Sequence, residues 1–313
     1  MNKKILVTGA FGQIGTELVP ALQEKHGKDN VVALGHHNIP SDFDGILEKA
    51  AITDKAALEA LVKKYDIGTV HHLVSLLSAK GEIDPAVTWD VNMNGLIHIL
   101  DFAKEYKLKV FWPSSIAAFG PTTPQDNTPQ RTVLEPTTMY GVTKTSGELL
   151  AQYYFNKYGV DVRSVRYPGI ISWKAEPGGG TTDYAVAIFY EGLKTGKYEF
   201  FVNEQTFLPM MYMDDAVRAT ISLMDADPDK LTVRTSYNLA AISFSAKERE
   251  EEIKKHIPLV ATYKPDHRQK IADSWPNSID DSTARKDWGW KHEYDLAKMT
   301  EVMLENLKKK LNV

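Results

Sequence analysis

The sequence predicts an α/β fold built on a doubly wound parallel sheet, and three observations predict it. The chain opens on an apolar run, Lys4-Ile-Leu-Val-Thr8, that leads into Gly9, Gly12 and Gly15. That order reads as a buried parallel strand, a tight turn and the start of a helix, whose unpaired N–H groups can receive a pyrophosphate. Short apolar runs and helically spaced segments then alternate along most of the chain. Finally, Tyr140 and Lys144 stand four positions apart, so on a helix they share one face and the ammonium lies close to the phenol.

Composition bounds the rest. The 313 residues are 43% hydrophobic, enough for a sizeable core, and carry a formal net charge of -4, which gives no general reason to expect nucleic acid or an anionic membrane as partner. No apolar run approaches the roughly 18 residues of a membrane span, and no targeting segment precedes the first strand. The expectation is a cytoplasmic protein acting on a small molecule. With no cysteine in the chain, disulfides, thiolate metal sites and cysteine nucleophiles are excluded.

The elements follow in order. The first glycines are spaced G-x-x-G-x-x-G rather than G-x-G-x-x-G, so a turn that binds nothing stays open as an alternative. The next helix contains Pro20, which should kink it or shift its boundary. The second strand, Asn30 to Asn38, ends where an acidic residue would hold the adenosine ribose hydroxyls. Gly35 stands there instead, followed by His36 and His37, which leaves two readings: a neutral gap that admits NAD, or a pocket in which His36, His37 or Asn38 tolerates a 2′-phosphate. The pair His71-His72 lies in an apolar strand, where successive side chains face opposite ways, so no metal site is expected. A helix follows Asp54 or Thr53 as N-cap. The strand over Gly68 to Val74 ends near Ser78, placing Ser78 at the sheet edge where ligands bind and making it a candidate substrate contact, or simply a turn serine. One long helix is expected from Pro85 to Tyr106, then a strand into Ser114-Ser115. The proline-marked stretch 120–129 is a loop, and the Tyr140 helix runs to about Tyr158.

Tyrosine has a pKa of about 10. A fixed ammonium beside it, with the positive ring of a nicotinamide, favours the phenolate and draws that value toward neutrality. A phenolate at neutral pH can take the proton of an alcohol. The segment Gly178-Gly-Gly-Thr-Thr-Asp183 before a helix offers hydroxyls, backbone N–H groups and a helix N-terminus for an anion, though Thr-Thr-Asp also describes an ordinary N-cap.

Five later segments carry a resemblance: Phe111-Trp-Pro-Ser-Ser-Ile-Ala117, Arg166-Tyr-Pro-Gly-Ile-Ile-Ser-Trp173, Pro177-Gly-Gly-Gly-Thr-Thr-Asp-Tyr184, Met210-Met-Tyr-Met-Asp-Asp215 and Gln269-Lys-Ile-Ala-Asp-Ser-Trp-Pro276. With these the chain resembles, over nearly its whole length, the extended branch of the short-chain dehydrogenase/reductases, and within it the epimerase-like L-threonine 3-dehydrogenases. The resemblance implies a Rossmann-type NAD-binding domain, residues 1–168 rejoined by about 209–241, and a smaller substrate-binding domain, residues 169–208 and 242–313. It implies Ser115, Tyr140 and Lys144 as catalytic residues, with Ser114 as the alternative hydroxyl. Gly9, Gly12, Gln13, Ile14, Gly15, Gly35, His36, Leu73, Tyr140, Lys144, Tyr167 and Pro168 would bind the cofactor. Ser78, Ser115, Tyr140, Gly180, Thr181, Thr182 and Trp275 would bind substrate, and no metal takes part.

The activity so implied is oxidation of the L-threonine hydroxyl to 2-amino-3-oxobutanoate with hydride transfer to NAD. Two departures from the family pattern, Gly35 and Ala51 where acidic residues are usual, imply that NADP is tolerated beside NAD. A nucleotide-sugar epimerase or dehydratase on the same scaffold, or a cofactor-sensing protein with a silent site, are the alternatives. The resemblance further implies a homodimer through a four-helix interface formed by 90–104 and 143–158, with Leu96, Leu100, Leu149 and Tyr153 buried on association.

Overall fold

Strands covered on both faces need near-continuous apolar sequence, and the runs read above supply it. The computed structural model describes residues 3–36 and 39–313, with the backbone alone at 79 and 80. In chain order its elements are β1 (Lys4–Thr8), α1 (Gly15–His26), β2 (Val31–Gly35), β3 (Ile46–Lys49), α2 (Lys55–Lys64), β4 (Ile67–His72), α3 (Ser78–Gly81), α4 (Pro85–Trp89) and α5 (Gly95–Tyr106). Then come β5 (Lys109–Ser115), α6 (Met139–Tyr158), β6 (Val162–Tyr167), β7 (Gly169–Ile171), α7 (Tyr184–Thr195), β8 (Lys197–Phe200), β9 (Phe207–Tyr212) and α8 (Met213–Asp225). The chain closes with β10 (Tyr237–Asn238), β11 (Ile242–Ser245), α9 (Ala246–Lys254), β12 (Val260–Tyr263), α10 (Arg268–Ala272), α11 (Ser282–Trp288) and α12 (Leu296–Leu311).

Seven strands form the central sheet in the order β10-β6-β5-β4-β1-β2-β3, every pair parallel. This is the Rossmann-type arrangement the sequence predicts, with β4 at the centre beside β1 and the chain running outward from that pair to either side. A three-stranded sheet, β11-β9-β7, and a two-stranded one, β12-β8, are built mainly from the second half of the chain. Leu6, Val32, Val70, Leu96, Leu100, Val110 and Trp112 belong to one core cluster beside the central sheet, while Tyr184, Phe189, Phe200, Phe244, Trp275, Met299 and Met303 belong to another around the smaller sheets.

Several expectations change on inspection. Helix α1 runs through Pro20 without ending, because the buried Leu18, Val19 and Leu22 on its other face provide packing that offsets the lost hydrogen bond. The second strand stops at Gly35, and His37 and Asn38 lie outside the described residues. The long helix expected from Pro85 to Tyr106 is interrupted by a π-helical turn over Asp90–Asn94. Leu96 and Leu100 are already buried in the chain's own core, so they have nothing to contribute to an interface; Leu149 and Tyr153 are exposed at 58% and 47%. Asp54 does cap α2, accepting from Ala57 N–H at 3.0 Å. No described helix is long and apolar enough to cross a membrane.

Candidate active site

The C-terminal ends of β1, β4, β5 and β6 converge on one cavity of about 150 Å³. It is lined by Gln13 and Ile14 after β1, by Leu73, Ser75, Leu77 and Ser78 after β4, by Pro113 to Ile116 at the end of β5, and by Tyr140 and Lys144 on α6. Tyr167 to Ile170, Gly180 to Asp183 and Trp275 complete the wall. This is the edge of an open parallel sheet where ligands bind.

Strand β5 and helix α6 set the chemistry. The two serines ending β5 point different ways: the Ser114 hydroxyl donates to Glu148 Oε1 at 2.6 Å, whereas Ser115 accepts Ala117 N–H at 3.2 Å and lies beside the Tyr140 phenol. Thr138 caps α6 by accepting Gly141 N–H at 3.1 Å, which fixes the first turn where Tyr140 sits. One turn on, the Lys144 ammonium is 5.2 Å from the Tyr140 ring centroid and 4.7 Å from that of Trp112, and donates to the Pro113 carbonyl at 2.7 Å. The phenol and the ammonium are therefore neighbours, as their spacing requires.

Burial governs both groups in the protein by itself. It pushes the Tyr140 phenol up to about 12, with the Ser115 hydroxyl opposing, and it depresses Lys144 to about 7, with the Glu148 carboxylate opposing. The expectation for Tyr140 joined the lysine to the positive ring of a nicotinamide; in the protein by itself, without that ring, desolvation sets the direction of the phenol.

The π-helical turn before α5 has a purpose here. Asn92, inside it, accepts Leu76 N–H at 2.8 Å and donates to Leu76 O and to Thr143 Oγ1, both at 3.1 Å. Its side chain thus pins the segment after β4 to α6. Asn92 had no sequence signal beyond its helix, because widening of the turn is not legible in residue spacing.

The turn before α7 brings Thr181 and Thr182 to the same cavity as Tyr140. Thr181 is buried and its hydroxyl has no protein partner, a polar group that costs free energy unless a ligand or water meets it. Asp183 occupies the N-cap position of α7 but makes no capping bond; its carboxylate folds back onto Gly179 N–H at 2.7 Å and Gly180 N–H at 2.8 Å. The N-cap alternative for Thr-Thr-Asp therefore does not describe what these side chains do. The sequence does not single out Asp183 as a lining residue, although among the described residues bordering the cavity it is the one carboxylate.

The remaining expected residues divide. Gln13, Ile14, Leu73, Ser78, Tyr167, Pro168, Gly180 and Trp275 all border the cavity, though the Tyr167 hydroxyl turns away to Ala216 O at 3.1 Å and to Thr220. Gly9, Gly12, Gly15, Gly35 and His36 are not among its lining residues: the first three lie between β1 and the first turn of α1, and the last two at the end of β2. Gly9 has a left-handed φ of 69°, and a Cβ on Gly15 would lie 2.4 Å from Gly9 O, so the turn closes only with these residues. No side chain caps the start of α1. That open, close-packed helix N-terminus fits a pyrophosphate. Among the described residues no group of three or more His, Asp or Glu is placed to hold a metal ion.

Comparison with known proteins agrees with this geometry. A model of the NAD dependent epimerase/dehydratase family matches residues 5–240. An uncharacterized epimerase/dehydratase of Staphylococcus haemolyticus is 50% identical over 313 residues, covering 98% of each chain. Among solved structures, a monomeric L-threonine 3-dehydrogenase of metagenomic origin is 53% identical, covering 99% of this chain and 100% of that one, with a TM-score of 0.96. The holo form of an L-threonine dehydrogenase from Cupriavidus necator is 50% identical over 97% of this chain and 100% of its own, also at 0.96. On the family match and these identities, the chain belongs to the NAD dependent epimerase/dehydratase family.

Proposed function

We propose that this protein is an L-threonine 3-dehydrogenase that oxidises the threonine side-chain hydroxyl to 2-amino-3-oxobutanoate and passes the hydride to NAD. The observation that carries the reading is the convergence of Ser115, Tyr140 and Lys144 with Thr181, Thr182, Asp183 and Trp275 on one cavity. The likeness to proteins bearing that name supports it.

In this reading Ser115 orients the substrate hydroxyl, Tyr140 takes its proton, and Lys144 holds the nicotinamide ribose and supplies positive charge beside the phenol. Bound NAD supplies the hydride acceptor and a cationic ring. The C3–H pair leaves as hydride while the O–H proton goes to the phenolate form of Tyr140, which the ring's positive charge and the Lys144 ammonium would together favour once the cofactor is bound, so the alcohol becomes a ketone. Thr181, whose buried hydroxyl has no partner in the protein, would meet the substrate carboxylate, and Asp183 would face the ammonium. Gly9, Gly12 and Gly15 would carry the pyrophosphate. Residues 1–168 with about 209–241 serve as the cofactor domain, and 169–208 with 242–313 as the substrate domain. A cytoplasmic address belongs to the same reading, since both reactants are small and water-soluble.

The lining favours this over a nucleotide-sugar epimerase: the partnerless Thr181 hydroxyl and the Asp183 carboxylate offer partners to the carboxylate and ammonium of an amino acid. The test is absorbance at the reduced-nicotinamide band with L-threonine and NAD. Net accumulation supports the dehydrogenase; none, with turnover of a nucleotide sugar, would favour the epimerase, and binding of NAD without turnover a sensor.

Pairing of two subunits is also part of the proposal. Ile83, Val87 and Trp89 in and before α4, with Val142, Leu149 and Tyr153 on α6, leave apolar surface exposed, and α4 packs against α6. A single face of this kind suits a second copy. Sedimentation showing only monomer at micromolar concentration would remove that part.

A further inference from the structure

We infer that Phe11 and Ile39 impose glycine at position 35, and that these two side chains thereby set how weakly the protein distinguishes NAD from NADP. The inference rests on reading the glycine turn and the end of β2 as the dinucleotide site. In such sites a carboxylate at the end of the second strand both binds the adenosine ribose hydroxyls and repels a 2′-phosphate.

Backbone conformation does not demand glycine there. Gly35 is absent from the residues of positive φ, closes β2 in register with Lys49, and has its carbonyl bonded by Ala50 N–H at 3.2 Å. Any residue adopts that conformation. Space is what excludes a side chain: a Cβ at 35 would lie 2.8 Å from Phe11 Cδ2, 2.9 Å from Phe11 Cε2 and 2.8 Å from Ile39 Cγ1. Carbon atoms in contact sit about 3.5–4.0 Å apart, so both side chains would have to shift. Phe11 is not a loose neighbour, since its ring packs edge-on against Phe43 at 5.2 Å between centroids and 86° between planes. Phe11 belongs to the glycine turn itself, between Gly9 and Gly12. The apolar pair therefore closes over the strand end from the turn on one side and from the loop after β2 on the other. Ala51, two positions beyond the end of β3, leaves the neighbouring strand end without an acid as well.

This changes what Gly35→Asp should do. The carboxylate cannot reach a ribose while Phe11 and Ile39 hold their places, so the single substitution should lower the melting temperature and leave the ratio of NAD and NADP dissociation constants within about threefold of the parent. Trimming both flanks opens the site. Phe11→Ala/Gly35→Asp/Ile39→Ala should melt above Gly35→Asp and favour NAD over NADP by at least about tenfold more than the Phe11→Ala/Ile39→Ala control, as expected where a like charge is placed against a phosphate.

The experiment measures melting temperature and the dissociation constants of NAD and NADP, by calorimetric titration of the full chain, for the parent and these three variants. Failure of Gly35→Asp to fold supports the steric account, and the triple variant then carries the binding test. Strict NAD preference in Gly35→Asp alone at unchanged melting temperature would overturn the inference, as would a triple variant with the control's ratio. A parent that binds neither nucleotide would instead sink the dinucleotide reading on which the inference stands.

Discussion

Ser114 donates a buried 2.6 Å hydrogen bond to Glu148, two turns beyond Tyr140 on α6. The same carboxylate receives Arg166 through Nε at 2.9 Å and Nη2 at 2.7 Å, with both side chains almost wholly buried. Arg166 in turn donates to Asn238 Oδ1 at 2.9 Å and Gln130 O at 3.1 Å, and Asn238 holds the carbonyls of Thr128 and Asp280. A fully bonded network thus ties β5, α6, β6 and β10 together behind the cavity, and it commits Ser114 to structure while leaving Ser115 beside Tyr140.

Breaking that network should cost more than any surface change. Glu148→Leu leaves the Arg166 guanidinium buried without its counter-charge, a loss of about 3–5 kcal/mol. Urea unfolding would register it as a lowered midpoint, and a midpoint unchanged from the parent would contradict the burial argument.

If Tyr140 is the proton acceptor proposed above, Tyr140→Phe should reduce turnover by about 10²–10⁴ while NAD still binds. Lys144→Ala should harm turnover and NAD affinity together, since in the proposed reading one ammonium serves both. Steady-state kinetics paired with NAD titration separates the two patterns; full turnover in Tyr140→Phe would exclude it as the base.

Asp183→Asn keeps a carbonyl oxygen able to accept Gly179 and Gly180 N–H but removes the negative charge. KM for L-threonine should rise by about tenfold, the scale of one charged hydrogen bond. A 3-hydroxy acid without the ammonium should be oxidised no worse than before. An equal loss for both substrates would mean that Asp183 only shapes the turn.

Acid should destabilise the protein through His71 and His72. Burial, the largest cause for each, depresses both to about 3. Unfolded histidine titrates near 6.5, so between those values the unfolded chain binds the protons and stability falls as pH falls from about 6.5 toward 3. At pH 5 each histidine should contribute a loss of ~2 kcal/mol. His71 packs against Phe111 with its Nδ1 unpartnered, so His71→Leu should flatten the acid limb. Urea midpoints at pH 7 and pH 5 for parent and variant check this, and parallel slopes would contradict it.

The sequence was most legible where one period or one spacing carries the meaning. Buried parallel strands announce themselves as apolar runs, and Tyr140 and Lys144 meet because four residues make about one helical turn. Asn92, Glu148 and Arg166 were not legible, because their partners lie 16 or more residues away and only the packed sheet brings them together. The upward shift of Tyr140 in the protein by itself was not legible for a related reason: charge proximity shows in sequence, while burial emerges only from the fold. Leu96 and Leu100, expected at an interface, were claimed by the chain's own core because helix periodicity does not say which neighbour covers an apolar face.

The most direct test of the central claim follows the hydride. L-threonine deuterated at C3, incubated with NAD and the protein, should yield reduced cofactor carrying one deuterium per molecule alongside 2-amino-3-oxobutanoate, with the signal lost in Tyr140→Phe. Reduced cofactor without deuterium, or no reduced cofactor from a protein that binds NAD, would contradict it.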